Sequence, residues 1–238
     1  MSRLQLNIPL ILVNFKTYLE GTGENAKRLA EIAEEVSASS GIQIIVSPQY
    51  TDVSEITSKT AIPVFAQHLD HQEPGRHTGF VLPEALLSAG CSGSMLNHAE
   101  KALSHDETRR AVERCRSLGL VSCVLSSGAN ESSLLASMNP DMMVIELPEL
   151  IGTGRAISTV RPEVVTDAID AVRAKNSNVV LIAGSGISNR VDVLKAIELG
   201  MQGVGASKGI VLSERPRDVL DEMANTLLEA KDSIKSKG

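Results

Sequence analysis

"VVLIAGSGISNRVDVLKAIELGMQGVGAS", residues 179–207, contains the pattern from which the fold follows. An apolar, β-branched run at 179–184 is followed by a glycine-rich loop, a segment of helical period at 189–200 and a second apolar run at 203–207. The helical segment opens on Asn189 and closes on Gly200, which are residue types that often cap helices. This stretch therefore predicts two parallel strands joined by a crossover helix.

The same unit repeats along the chain. The strand candidates are residues 10–15, 43–47, 64–68, 93–97, 121–126, 141–146, 179–184 and 203–207. Amphipathic segments such as 24–39, 106–119 and 161–175 alternate with them. Eight strand–helix units of roughly 30 residues match an α/β protein of the (β/α)8 barrel type, and a doubly wound open sheet is the alternative. We predict the barrel, as one domain over residues 1–238, because nothing in the pattern suggests a second domain.

Composition limits the class of partner. The chain has 238 residues, 42% of them hydrophobic and 22% charged, with a formal net charge of −6. This acidic balance argues against nucleic acid or an anionic membrane as the main partner, and no apolar run approaches the roughly 20 residues that cross a bilayer. The three cysteines lack the spacing of metal ligands, and the first residues lack the features of a signal peptide. Both observations predict free thiols in a reducing cytoplasm. A small metabolite is the expected partner.

Polar residues stand at the carboxyl ends of several predicted strands. Asn14 and Lys16 end the first, His98 and Glu100 follow the fourth, and Glu146 ends the sixth. In a barrel these ends share one rim, so such side chains converge on one site. Strand alternation is expected to direct Asn14 and Lys16 to the same side. Lys16 needs a counter-charge when no ligand is bound, and Glu100 is its expected partner.

Glycine-rich loops follow the last three strands. They read "IGTGRAIS" at 151–158, "GSGIS" at 184–188 and "ASKG" at 206–209. Glycines let backbone N–H groups approach an anion, and a following helix N-terminus adds its dipole. Together with the nearby lysine, histidine and glutamate, these loops predict a phosphate site.

Two other motifs suggest cofactors less convincingly. "GTGENA", 21–26, imitates a dinucleotide fingerprint, but residues 17–20 separate it from the end of the first strand, whereas the fingerprint follows its strand immediately. "HLDH", 68–71, could suggest a metal, but ligands at this spacing occur by chance and the next residues look like a protruding loop. We therefore expect neither a cofactor nor a metal.

Three segments in order carry a family resemblance: "VNFKTY" at 13–18, "LNHAEK" at 96–101 and "IELPELIGTG" at 145–154. The chain resembles the triosephosphate isomerase family over nearly its whole length, in particular the shorter archaeal form. The resemblance implies interconversion of dihydroxyacetone phosphate and D-glyceraldehyde 3-phosphate through an enediolate, without cofactor or metal, in glycolysis and gluconeogenesis.

The resemblance also implies roles for individual residues. Glu146 would be the catalytic base, and His98 would polarise the carbonyl oxygen. Lys16, supported by Glu100, would stabilise negative charge, and Asn14 would orient the substrate. Ile151 would close over the substrate. The residues whose backbone groups would hold the phosphate are Gly152, Gly186, Ser207 and Lys208.

The sequence departs from the usual family pattern at several positions. Leu147 occupies the place of a proline after the base, and Glu149 that of a tryptophan, so the hinge of the lid is expected to differ in stiffness. Ala99 replaces a serine, and Asn97 replaces the glycine of most non-archaeal members. Gly186 stands where many members have serine, but only a backbone N–H is needed there.

The segment "HQEPGRHTG", 71–79, is too long for a minimal strand-to-helix connection. In the family, the equivalent loop enters a pocket of a neighbouring subunit with a threonine at its tip, which Thr78 matches. The resemblance thus implies a homo-oligomer, either a dimer or a tetramer.

Two alternative functions remain open on sequence grounds. One is another sugar-phosphate barrel, such as a metal-dependent epimerase or a phosphoribosyl isomerase. The other is a barrel that binds a phosphorylated metabolite without turnover.

Overall fold

Residues 3–235 are described by a computed structural model, in which eight parallel strands form a nearly closed barrel and alternate with helices. The strands are β1 Leu10–Asn14, β2 Gln43–Ser47, β3 Phe65–Ala66, β4 Gly93–Leu96, β5 Val121–Ser126, β6 Met142–Ile145, β7 Val180–Ala183 and β8 Gly203–Ala206. The (β/α)8 barrel prediction is confirmed. The predicted single domain, 1–238, also includes residues 1, 2 and 236–238, which lie outside the described residues.

The helices run along the outside of the barrel in the expected alternation. They are α1 Glu24–Ser40, α2 Tyr50–Lys59, α3 Pro83–Ser88, α4 His105–Leu118, α5 Gly128–Ala136, α6 Ile157–Val160, α7 Pro162–Arg173, α8 Arg190–Glu198, α9 Lys208–Val211 and α10 Pro216–Lys235, with 3-10 turns at Leu19–Gly21 and Pro148–Leu150. Side-chain caps fix two of the starts: Ser104 and Glu107 form a capping box at α4, and Asn189 Oδ1 accepts from two N–H groups at α8. The cap at Asn189 is the one predicted from the sequence, whereas Ser104 precedes the predicted start at residue 106.

The strand order is β2-β1-β8-β7-β6-β5-β4-β3, and the barrel closes between β2 and β3. A single bridge joins Val46 to Val64, where Val46 N donates to Pro63 O at 3.0 Å. The third strand, predicted at 64–68, is ladder-paired only at Phe65–Ala66. Beyond it the Gln67 side chain takes over, donating to Lys16 O at 2.8 Å and to Ser47 O at 3.1 Å.

Inward-facing positions of the strands fill the barrel with a separate apolar core. Its buried members are Leu10, Leu12, Ile45, Phe65, Met95, Val121, Cys123, Leu125, Met142, Val144 and Ile182. Gly93 makes room for the largest of them, because a Cβ there would lie 2.7 Å from the Phe65 ring. This packed interior forms a rigid floor beneath the carboxyl ends of the strands.

The three cysteines are buried free thiols. Burial raises the pKa of both Cys91 and Cys115 to about 12, so these thiols are protonated near neutral pH. Within residues 3–235, no helix has the length and apolar character needed to cross a membrane.

Candidate active site

A cavity of about 450 Å³ opens at the carboxyl ends of the strands, above the apolar core. It is lined by nine residues singled out from the sequence: Asn14, Lys16, His98, Glu146, Ile151, Gly152, Gly186, Ser207 and Lys208. Glu100 and Thr78 are not in the lining. The barrel thus brings together residues up to 194 positions apart, from Asn14 to Lys208.

Lys16 reaches the cavity through a left-handed turn. The strand ends at Asn14, and Lys16 has φ 50°. Both side chains line the same cavity, as expected, but a turn and not strand alternation brings Lys16 there. Asn14 Oδ1 fixes the turn by accepting from Lys16 N at 2.9 Å. Lys16 Nζ donates to Glu100 Oε1 at 2.6 Å, which is the pairing expected from the sequence. This ion pair holds the cation at the cavity mouth.

His98 follows another left-handed residue, Asn97, at the end of β4. Its Nδ1 accepts a hydrogen bond from Glu100 N at 3.0 Å. A backbone N–H can only donate, so Nδ1 is unprotonated and the ring proton sits on Nε2. Burial lowers the pKa of His98, the charge of Lys16 lowers it further, and Glu100 opposes them. The site therefore holds a neutral imidazole that can donate from Nε2.

Glu146 comes directly after β6, and its N–H donates to Ser126 O on β5 at 3.0 Å. Only 6% of the residue is exposed, and Oε1 has no hydrogen-bond partner among the described residues. Burial raises the pKa of this carboxyl to about 7, against the opposing charge of Lys16. Its Oε1 lies 3.7 Å from His98 Nε2. A carboxyl with a pKa near neutrality is suited to accept and return a proton.

The loop after β7 makes room for this carboxylate in a way that sequence reasoning missed. A Cβ at Gly184 would lie 3.0 Å from Glu146 Oε2 and 2.6 Å from Val144 Cγ1. Gly184 is part of the quoted "GSGIS", but the glycines of that loop were assigned to phosphate binding alone. Nothing in the sequence distinguishes a glycine that binds phosphate from one that leaves space for the Glu146 side chain.

The glycine-rich loops surround the other end of the cavity. Gly152 and Gly186 have φ of 74° and 77°, and a Cβ at Gly186 would lie 2.0 Å from Arg155 O. In helix α9 the first intrahelical bond is donated by Ile210 to Ser207 O, which leaves the preceding N–H groups, including that of Lys208, free of intrahelical partners. Such N–H groups are available to an anion.

Residues 147–156, hereafter the lid segment, connect Glu146 to helix α6. The segment begins with the 3-10 turn that buries Leu150, and residues 152–155 are exposed. Ile151 lies on its cavity side. The segment therefore covers the end of the cavity that the glycine-rich loops form, while its outer surface stays in solvent.

The two cofactor-like motifs lie away from this cavity. Gly23, within "GTGENA", donates from its N–H to Asp52 Oδ2 at 3.1 Å. His68 Nε2 lies 3.2 Å from Asp70 Oδ1, and Asp70 Oδ2 accepts from Val81 N at 2.6 Å. In the described part of the chain, no group of three His, Cys, Asp or Glu side chains could hold a metal ion. These contacts are structural, and those of Asp70 close the base of the loop at 71–79.

Comparison with known proteins gives the family. A family model described as triosephosphate isomerase matches residues 9–223. The chain belongs to the triosephosphate isomerase family. The match extends from the residue before β1 into helix α10, so it includes every strand and every loop of the cavity.

Individual relatives agree with this membership in the triosephosphate isomerase family. A triosephosphate isomerase of Methanobacterium bryantii is 40% identical over 219 residues, covering 92% of this chain and 97% of the relative. That of Methanocaldococcus jannaschii is 40% identical over 214 residues, with 90% and 98% covered. That of Sulfurisphaera tokodaii is 40% identical over 227 residues, with 95% and 99% covered. The relatives are mostly archaeal, in agreement with the resemblance to the archaeal form.

Proposed function

We propose that this chain is a triosephosphate isomerase, which interconverts dihydroxyacetone phosphate and D-glyceraldehyde 3-phosphate in glycolysis and gluconeogenesis. The family assignment supports the reaction. The observation that carries the mechanism is the 3.7 Å separation of Glu146 Oε1 and His98 Nε2 beside the Lys16 cation. A base, a neutral donor and a cation thus meet at one point of the cavity.

In this mechanism Glu146 takes a proton from one carbon of the triose and returns it to the neighbouring carbon. Its pKa of about 7 makes the ionised carboxylate a stronger base than an exposed glutamate. His98 donates from Nε2 to the carbonyl oxygen on which negative charge develops. Lys16 stabilises that charge, and Asn14 orients the substrate. No cofactor or metal takes part.

The phosphate group is proposed to lie against the loops after β6, β7 and β8. Backbone groups of Gly152, Gly186, Ser207 and Lys208 would hold it, and Ile151 would close over the substrate. Exclusion of water by the lid segment matters because an exposed enediol phosphate can eliminate its phosphate. The exposed glycine-rich part of that segment supports this covering role.

We further propose a cytoplasmic homo-oligomer, a dimer or tetramer, built on the loop at 71–79. Residues 73–80 are exposed, including Phe80 at 51%. Asp70 holds the base of the loop closed, with its N–H donating to Val81 O at 3.0 Å. A loop with a fixed base and an exposed tip that carries Thr78 suits insertion into a second subunit.

A coupled isomerase assay on the purified protein, run from each triose phosphate, tests the proposed reaction. We expect turnover in both directions that dialysis against a chelator leaves unchanged. Loss of activity on chelation would favour a metal-dependent epimerase-like barrel. Binding of phosphoglycolate without turnover would indicate a barrel that binds a phosphometabolite but is not an enzyme.

A further inference from the structure

One residue of the loop after β7 bonds both ends of the lid segment. Leu147 N, at the start of the segment, donates to Ser185 Oγ at 3.1 Å. Ile157 N, just after its end, donates to Ser185 O at 3.3 Å. The backbone is therefore tied to Ser185 both where it leaves Glu146 and where it enters helix α6.

The conformation of Ser185 is unusual for a residue with a side chain. Its φ of 46° lies in the left-handed region, where non-glycine residues persist only if their surroundings determine the conformation. The neighbouring glycines allow the loop to pack tightly, with Gly184 beneath Glu146 and Gly186 against Arg155 O. The loop that carries Ser185 is thus packed closely against Glu146 and the lid segment.

The hydrogen bond at the start of the lid segment depends on one departure from the family pattern. Leu147 stands where the family usually has proline, and proline has no N–H to donate. The φ of Leu147, −107°, is also outside the range that a proline ring allows. Ser185 supplies the hydroxyl that accepts. A family member with proline at the first position could not form this bond.

We propose that Ser185 is a positioning residue that clamps both ends of the lid segment and thereby holds Glu146 opposite His98. On one side of Glu146 the chain is fixed to β5, through Glu146 N and Ser126 O, and on the other side it is fixed to Ser185. Ser185 also lines the cavity, and loss of its hydroxyl frees the backbone next to the base while it leaves Glu146 and His98 unchanged. This role rests on the proposed isomerase function.

The test is a double-mutant cycle of Ser185→Ala and Leu147→Pro, with kcat and KM measured for each protein. Ser185→Ala alone should lower kcat/KM about 3- to 10-fold, mainly in kcat, which is the range expected for one neutral hydrogen bond. In the Leu147→Pro background, Ser185→Ala should lower kcat/KM less than about twofold, because residue 147 then has no N–H to donate to the hydroxyl. In a Leu147→Ala background, which keeps the N–H, the full effect should persist. Ser137→Ala, at an exposed serine whose hydroxyl donates to Leu134 O in its own helix turn, is the matched control and should leave kcat and KM unchanged.

Amide hydrogen exchange gives a readout that does not require activity. Exchange at the Leu147 amide should be slow in the wild-type protein and at least about tenfold faster in Ser185→Ala. Equal exchange rates in the two proteins, or kinetic effects of the two substitutions that simply multiply, would overturn the clamp. A wild-type protein without isomerase activity would contradict the proposed function, while the exchange comparison would still decide on the clamp.

Discussion

Glu146→Gln should abolish isomerisation and at the same time stabilise the fold. The structure explains both effects by the burial of one carboxyl that finds no hydrogen-bond partner at Oε1 among the described residues. Burial raises the pKa of this group from 4.5 to about 7, and at about 1.4 kcal/mol per pKa unit the ionised form costs the folded state about 3 kcal/mol. The amide of glutamine keeps the size of the side chain but carries no charge and cannot accept the proton.

The direction of the pH dependence follows from proton binding. The folded state holds the Glu146 proton more tightly than the unfolded state, so the wild-type protein loses stability as pH rises from about 4.5 to about 7. Above pH 7 the loss is complete. The variant lacks this titration. Its advantage over the wild type should therefore be small near pH 4.5 and largest above pH 7.

Thermal unfolding of both proteins at one fixed concentration, between pH 5 and pH 8, measures this difference. For a chain of this length about 3 kcal/mol corresponds to about 6–12 °C in Tm, so the variant should melt higher by that amount at pH 8 and by less at pH 5. Equal Tm values at pH 8, or a gap that does not vary with pH, would refute the reasoning from burial.

Kinetics of the same pair test the role of the base. The variant should lose at least the roughly 10²- to 10⁴-fold expected for general base catalysis, and kcat/KM of the wild type should fall as pH drops below about 7, where Glu146 becomes protonated. A variant that keeps more than half of the wild-type rate would exclude Glu146 as the base.

Three further substitutions test the surroundings of the base. Lys16→Met should weaken phosphoglycolate binding about 10- to 100-fold by calorimetry, since it removes a cation facing the anion, and an unchanged affinity would place Lys16 outside the site. Thr78→Arg should bury an unpaired cation at the proposed subunit contact and shift the protein toward a folded, poorly active monomer in light scattering; a wild type that is monomeric and fully active at micromolar concentration would contradict this. Gly186→Ala should lower both Tm and inhibitor affinity, because its Cβ would lie 2.0 Å from Arg155 O at a φ of 77°; unchanged values would show that the loop yields without cost.

Much of the fold could be predicted because its signals are local. Seven predicted strands differ from the observed ones by at most one residue at either end, since apolar runs and helix caps are properties of neighbouring residues. The third strand, predicted at 64–68, was too long. The ladder ends at Ala66, and the carbonyl oxygens of Lys16 and Ser47 accept from the side chain of Gln67 instead. A competition between side-chain and backbone donors depends on which atoms the barrel brings near, and the sequence does not contain that information.

The location of the candidate site could also be predicted from the sequence, whereas the contacts between its loops could not. Its location could be predicted because the topology of a barrel sends every strand end to one rim, and the pairing of Lys16 with Glu100 followed from opposite charge on that rim. The contacts of the loop after β7 could not be predicted. Leu147 and Ser185 are 38 residues apart, and their hydrogen bond depends on how two neighbouring loops pack after the barrel has closed.

The left-handed residues show where the barrel accepts an unfavourable backbone. Within residues 3–235, four non-glycine residues have positive φ: Lys16, Asn97, Asn139 and Ser185. Asn139 precedes β6, whereas the other three follow the carboxyl ends of β1, β4 and β7, beside the cavity. Asparagine tolerates this region better than most residues, which explains why Asn97 can replace the glycine that most non-archaeal members have before the histidine. Lysine and serine tolerate the left-handed region less well, so Lys16 and Ser185 adopt it at an energetic cost. The strained backbone is concentrated where the chain must turn sharply to present the cation, the imidazole and the clamp of the lid segment, and the packed strands beneath them keep those turns from relaxing.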